Sequence, residues 1–300
     1  MPVPPEAATA PPGTGVIHDI GYRPYTGPRL GRAHAARALF VQSLRASYGL
    51  GRSARSKVLP MLLLGAMCAP ALIVVALAVM TRQDELPVDY PGYLAATSTL
   101  TGIFLAAQAP VMLSRDLRFM TVPLYFSRPL TRTDYVRAKT AAMTAALLVL
   151  TALPVVILYA GALLAGMPVG HNTAHALYGL GTALLYSVLY ASVGLVVAAA
   201  TPRRGFGVAA VIGVLIVSTT VAGITWALLD GPGGSGGADW ASLLSPSTLV
   251  DALSGWVFRL PHEDGPGSVS SGAVGAVALL EFAAVAAACH LLLLRRYRKF

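Results

Sequence analysis

The sequence predicts an all-α membrane protein with six transmembrane helices, preceded by an interfacial amphipathic helix and carrying an amphipathic external helix between spans five and six. Three observations predict it. Six long apolar runs occupy residues 58–80, 92–113, 144–165, 178–200, 206–229 and 272–294. Each is close to the roughly 20 residues that a helix rising about 1.5 Å per residue needs to cross a hydrocarbon core of about 30 Å. Twenty of the 22 Lys and Arg residues fall in alternate gaps between those runs. The chain is also 55% hydrophobic and only 12% charged, with mean hydropathy +0.66, which is more apolar surface than a soluble domain of this length can enclose.

The sorted charges give an orientation. Eight cations precede the first run, six lie between runs two and three, two between four and five, and four follow the last. Only Arg82 and Arg259 lie in the other gaps. Cations near span ends stay on the cytoplasmic side, so the chain is expected in the cell membrane with both termini inside. The formal charge of +9 is spread over four juxtamembrane segments. Membrane lipid and topology account for that spread, and no nucleic-acid partner is expected. Cys68 and Cys289 lie in predicted spans and form no C-x-x-C pair, so neither a disulfide framework nor a zinc site is indicated.

Each element follows in chain order. Residues 1–31 are expected to be a cytoplasmic tail, disordered at its start, where five prolines fall within the first 15 residues. Residues 32–57 form an interfacial helix and basic lead-in: Ala36, Phe40, Leu44 and Tyr48 recur at i+4, with Arg37 and Arg45 on a separate sector. The other reading is a cytoplasmic extension of the first span, because Gly49 and Gly51 interrupt a helix only weakly. The run from 58 is too long for the core of a cleaved signal peptide and is expected to remain in the mature protein. Residues 58–294 then form the transmembrane domain, and 295–300 a basic cytoplasmic end.

In the second span Thr97, Thr101 and Gln108 project within about 40° of one another, and in the fifth Gly207, Ser218 and Thr225 align similarly. Such stripes serve either as interhelical glue or as the lining of a route. The longest intracellular connection is 114–140. Within it Pro129 turns Arg128 away from helix, and Thr131 with Asp134 resembles a capping box, so a helix should start near Thr131 and feed the third span. Residues 117–126 mix apolar and basic side chains, which suits a short contact helix under the membrane or an ordinary positive-inside loop equally.

Outside, Ser245-Pro246 reads as an N-cap followed by proline at the first helical position. Leu249, Leu253, Trp256, Val257 and Leu260 then give one apolar stripe, expected to rest on the outer leaflet with Trp256 at the headgroups. The last run carries the single carboxylate within a span, Glu281. An acidic residue there costs roughly 2.5–3.5 kcal/mol by insertion measurements, so it should face water or a hydrogen-bonding neighbour. Its alanines, Ala283, Ala284, Ala286, Ala287 and Ala288, favour tight packing within the subunit.

Catalytic chemistry finds no footing. A P-loop needs Gly before its Lys, and Lys57, Lys139 and Lys299 follow Ser56, Ala138 and Arg298. His171 and His175 lack the neighbouring Glu of a zinc helix and read as a solvated loop. No catalytic, cofactor-binding or metal residue is assigned, and any ATP would be bound by a partner subunit.

The ordered elements, together with local words, resemble the membrane subunit of a type-2 ABC exporter from high-GC actinobacteria. Ile17 to Arg29 is similar to the cytoplasmic lead-in of such permeases, Ser127-Arg128-Pro129-Leu130 with Thr133-Asp134-Tyr135 to the entry of their third helix, and Leu244-Ser245-Pro246 to their external loop. The resemblance implies a permease that pairs with a second copy or homologue and with a cytoplasmic ATP-binding cassette ATPase. It also implies a coupling helix at 117–126, with Arg115, Asp116 and Arg118 as polar contacts, and a pathway lined from spans two and five by Thr97, Thr101, Gln108, Ser218 and Thr225. Two other classes stand beside it: a proton-coupled secondary transporter, which would use Glu281, and a non-transporting membrane anchor or assembly protein.

Overall fold

In a bilayer every backbone N–H and C=O has to be satisfied within the protein, which leaves helix as the natural element for an open chain. The computed structural model follows that rule, with helices and no strand among its described residues, which are 27, 30–82, 85–118, 125, 130–201, 204–230, 237–260, 265–267, 269 and 271–298. The chain divides into residues 1–30 and 31–300. The first unit, and with it the predicted disordered tail, lies almost wholly outside the described residues.

The helices are α1 (Arg32–Ser47), α2 (Ala54–Thr81), α3 (Tyr90–Ala96), α4 (Ser98–Arg118), α5 (Arg132–Leu164), α6 (Val169–Ala200) and α7 (Arg204–Leu229). A 3-10 turn (Ala238–Leu244), α8 (Pro246–Phe258) and α9 (Gly272–Tyr297) follow. Five of them, α2, α5, α6, α7 and α9, are long and apolar enough to cross a membrane. Helices α3 and α4 pass the same test only as a pair and meet at a 56° bend, so the candidate spans number five, or six where that pair counts as one.

The bend combines a local cap with partners distant in sequence. Asp89 caps α3 by accepting from Gly92 N, and proline occupies the start of the helix. Two buried tyrosines then fix its direction: Tyr90 OH donates to Asn172 Oδ1 of α6 at 3.0 Å, and Tyr93 OH donates to the Met67 carbonyl of α2. Thr97 at the junction returns its hydroxyl to the Tyr93 carbonyl at 2.8 Å, so the break leaves that acceptor satisfied.

The centre of the bundle is α6, which packs against α3, α4, α5, α7, α8 and α9 and buries Tyr186, Leu189, Leu195 and Ala198. Helix α5 flanks it and supplies Met143, Leu147, Leu150 and Leu158 to the same core. By contrast α2, α7 and α9 expose rows of Leu, Ile and Val, as helices bathed in lipid do. The alanines of α9 correct an expectation: Ala283, Ala284, Ala287 and Ala288 face outward. Helix α9 meets the bundle instead through Val274, Gly275, Ala278, Cys289, Leu293 and Tyr297.

Helix α1 is a separate element and not an extension of the first span. The chain turns between α1 and α2 through Gly49 and Gly51, both at positive φ, and a Cβ on Gly49 would come 2.5 Å from the Ser56 carbonyl oxygen. Its deepest face runs through Leu39, Ser43, Ser47 and Tyr48, with the expected stripe at Ala36, Phe40 and Leu44 only half-buried beside it. That face lies on α5 and α4, where Tyr48 OH donates to the Ala146 carbonyl at 2.7 Å, while Arg37 and Arg45 stay exposed.

A helix does follow Ser245, α8 with Pro246 in its first turn, yet it is embedded in the bundle instead of resting on its surface. Ser247, Thr248, Leu249, Val250, Ala252, Leu253 and Ser254 are all buried. Only Trp256 and Val257 of the apolar stripe keep substantial exposure. Trp256 packs so closely on α9 that a Cβ at Gly275 would lie 2.1 Å from its ring. Gly275→Ala should therefore lower stability by about 1–3 kcal/mol through overpacking. Gly65→Ala, with open space around it, should be neutral or slightly stabilising; thermal unfolding of the two variants in detergent compares them directly.

Candidate functional site

Ionisable groups drawn into an apolar bundle are the natural places to look for chemistry, and two clusters stand out at opposite ends. The first sits where α4 ends and α5 begins. Thr131 caps α5 in a reciprocal capping box with Asp134, as expected, and Arg32 from the start of α1 adds a bidentate grip on the Asp134 carboxylate, with Nη2 to Oδ1 at 2.9 Å. Two turns further along α5, Lys139 is buried and directs Nζ to Asp116 Oδ2 at 2.9 Å and to the Met112 carbonyl at 3.1 Å. Tyr135 OH donates to the same Asp116 oxygen at 2.7 Å.

Tyr135 links further parts of this joint. Its ring lies 5.6 Å from that of Tyr125 in the connecting segment and 5.0 Å from Tyr297 at the end of α9. A cavity of about 230 Å³ opens beside the ion pair between α1, α4 and α5, bounded by Gln42, Ser43, Arg52, Gln108, Asp116 and Lys139. Buried opposite charges need this density of hydrogen bonds, since either charge alone would carry the full cost of desolvation.

The sequence-predicted residues distribute unevenly over this geometry. Asp116 lies in the joint, facing inward to Lys139 and Tyr135. Arg115 and Arg118 occupy the last turn of α4, but their side chains, like most of the 117–126 segment, lie outside the described residues. Gln108 borders the inner cavity. Thr97 and Thr101 are buried within the single chain, and Thr101 Oγ1 points to Met67 Sδ at 3.9 Å. Ser218 and Thr225 are half-buried on α7, Ser218 returning its hydroxyl to the Leu215 carbonyl. The structure thus does not gather the two stripes around one open channel within the chain. Glu281 is half-buried midway along α9 and makes no hydrogen bond or ion pair with a described residue.

The second cluster was not legible as a site. At the other end a chamber of about 730 Å³ is bounded by Glu85, Asp89, Asn172, His175, Asp251 and Ser254 among others. His171 and His175 stand on the first turns of α6, not in a loop, with rings 4.0 Å apart. Asp251 opens on this chamber while its other sides are enclosed, and it accepts a 2.6 Å hydrogen bond at Oδ1 from Tyr186 OH of α6. Desolvation raises its carboxyl from 3.8 to about 7, against the opposing effect of the Tyr186 bond. Thr219 of α7 and the hydroxyls of Ser245 and Ser247 form a triangle with sides of 2.9–3.2 Å that ties the start of α8 to the bundle. Among the described residues no group of three His, Cys, Asp or Glu is placed to hold a metal.

No family model matches the chain, and no curated protein matches it.

The joint predicts a specific double-mutant pattern. Asp116→Asn and Lys139→Met should each cost about 3–5 kcal/mol by stranding a buried charge, and the double variant should lose clearly less than their sum. Unfolding of the three variants in detergent reads that coupling. For Asp251 the sign follows from the raised value: the folded protein binds this proton more tightly than the unfolded chain, so its contribution is full below about pH 4 and is lost as pH rises through about 7. The unfolding temperature should accordingly be lower at pH 8 than at pH 5, and Asp251→Asn should remove most of that difference.

Proposed function

We propose that this chain is the membrane-spanning permease subunit of an ATP-binding cassette exporter, which works with a separate cytoplasmic ATPase subunit and a second permease copy or homologue. The observation that carries the reading is mechanical. The connection between α4 and α5 is flanked by two clamps, the Asp116–Lys139–Tyr135 cluster on one side and the Thr131–Asp134 cap gripped by Arg32 on the other. A push on that connection passes into α1, α4 and α5 together. Helix α4 ends at its far end in the 56° break with α3, a place where a tilt can be absorbed.

In this reading residues 117–126 form the contact with the ATPase, with Arg115, Asp116 and Arg118 contributing polar interactions. Asp116 then has a double role, since it also anchors the joint from within. The two-state cycle requires the ATPase to bind one permease conformation more tightly than the other. Both termini and this connection lie on the cytoplasmic side of the cell membrane.

Asp251 favours a second reading, because a carboxyl that titrates near neutrality on an accessible chamber suits a proton-coupled carrier. The two separate on the motor. Affinity purification of the full chain from native membranes should retain a protein bearing a Walker A motif, and Arg115→Glu with Arg118→Glu should lower that retention at least about tenfold with insertion unchanged. Absence of such a partner, or wild-type retention by the double variant, contradicts the proposal.

A further inference from the structure

Between α5 and α9 lies an open groove of about 470 Å³ that neither cluster uses. One end holds Arg137, Thr140, Thr144 and His290, and the other is apolar, with Ala145 and Leu148. Arg137 is exposed and forms no ion pair with a described residue. Thr140 Oγ1 is covered by protein, which leaves Thr144 as the hydroxyl beside His290 in the groove.

Length and polarity identify what fits. From Arg137 to Leu148 the helix rises about 16 Å, roughly half of a 30 Å hydrocarbon core and so the depth of one leaflet. A cation comes first, then a hydroxyl and an imidazole, then small and apolar side chains. That order matches the phosphate, the glycerol esters and the acyl chain of a phospholipid read from headgroup inward. Basic pockets between spans are established as a way to hold anionic headgroups.

We infer that the α5–α9 groove is a binding site for an anionic glycerophospholipid, whose phosphate meets Arg137 and whose ester region meets Thr144 and His290. The inference rests on the membrane reading of the chain and is independent of the exporter proposal. Its source is the bilayer and not a soluble phosphate ester, because most of the groove's exposed lining is apolar.

Native mass spectrometry of the purified full chain, titrated with phosphatidylglycerol or phosphatidylcholine of equal acyl length, tests it. Phosphatidylglycerol should be retained about fivefold better, the scale of one cation beside a lipid headgroup. Arg137→Gln should bring the two lipids to parity without changing the unfolding temperature, whereas Arg45→Gln on α1 should leave the preference intact. Thr144→Val should weaken retention of both lipids, and glycerol 3-phosphate should displace neither. Equal binding of the two lipids by the unmodified chain, an unchanged preference in Arg137→Gln, displacement by glycerol 3-phosphate, or a lipid-free dimer formed through this face would each overturn the inference.

Discussion

The cost of carrying charge into hydrocarbon governs this protein. Cations gather in alternate gaps between apolar runs because each one placed near a span centre costs several kcal/mol. The helices that emerge carry their cations at their ends, as Arg132 and Arg137 do on α5 and Arg295 and Arg296 on α9. Charges that do enter the bundle require an arrangement of their own. Lys139 has one, in Asp116, Tyr135 and the Met112 carbonyl. Asp251 has another, a tyrosine hydroxyl and a neutralising proton near pH 7. Glu281 has neither, and its place halfway out of α9 leaves it open to lipid, water or a neighbouring chain.

The apolar runs were legible because length and hydropathy respond only to the solvent, and the bilayer is a uniform one. The capping box at Thr131 was legible for a related reason, since it is closed by residues three positions apart. What escaped was set by partners distant in sequence. Helices α3 and α4 part where Tyr90 and Tyr93 bond to α6 and α2, 82 and 26 residues away. Helix α8 carries a stripe at Leu249, Leu253 and Trp256 that promises a lipid-facing helix. Its opposite side is buried too, because Ser245, Ser247 and Asp251 find hydroxyl partners on α7 and α6. A carboxylate opposite an apolar stripe reads as solvated, so Asp251 gave no sign of its setting. Lys139 likewise counted as one more loop cation, although α5 begins seven residues before it.

The two polar clusters divide the labour that a membrane machine of the proposed kind would need. At one end Tyr135 joins α4 and α5 to the end of α9, and Arg32 brings in α1. At the other, Asp251 and Tyr186 hold α8 against α6 under a chamber. Helix α6 runs between them as the most enclosed of the long apolar helices. The tied end is suited to receiving force. The chambered end also holds a titratable carboxyl, Asp251, in the hydrogen bond that joins α8 to α6.

The proposed function requires the two clusters to lie on opposite sides of a membrane, with α5, α6 and α7, each long and apolar enough to cross it, running between them. Single cysteines at Thr133 and Ser271, both exposed, placed in a chain lacking Cys68 and Cys289, measure this directly with a membrane-impermeant maleimide. Ser271→Cys should react on intact cells, and Thr133→Cys only after the membrane is opened. Labelling of both from the same side, or of Thr133→Cys from outside, would contradict the arrangement.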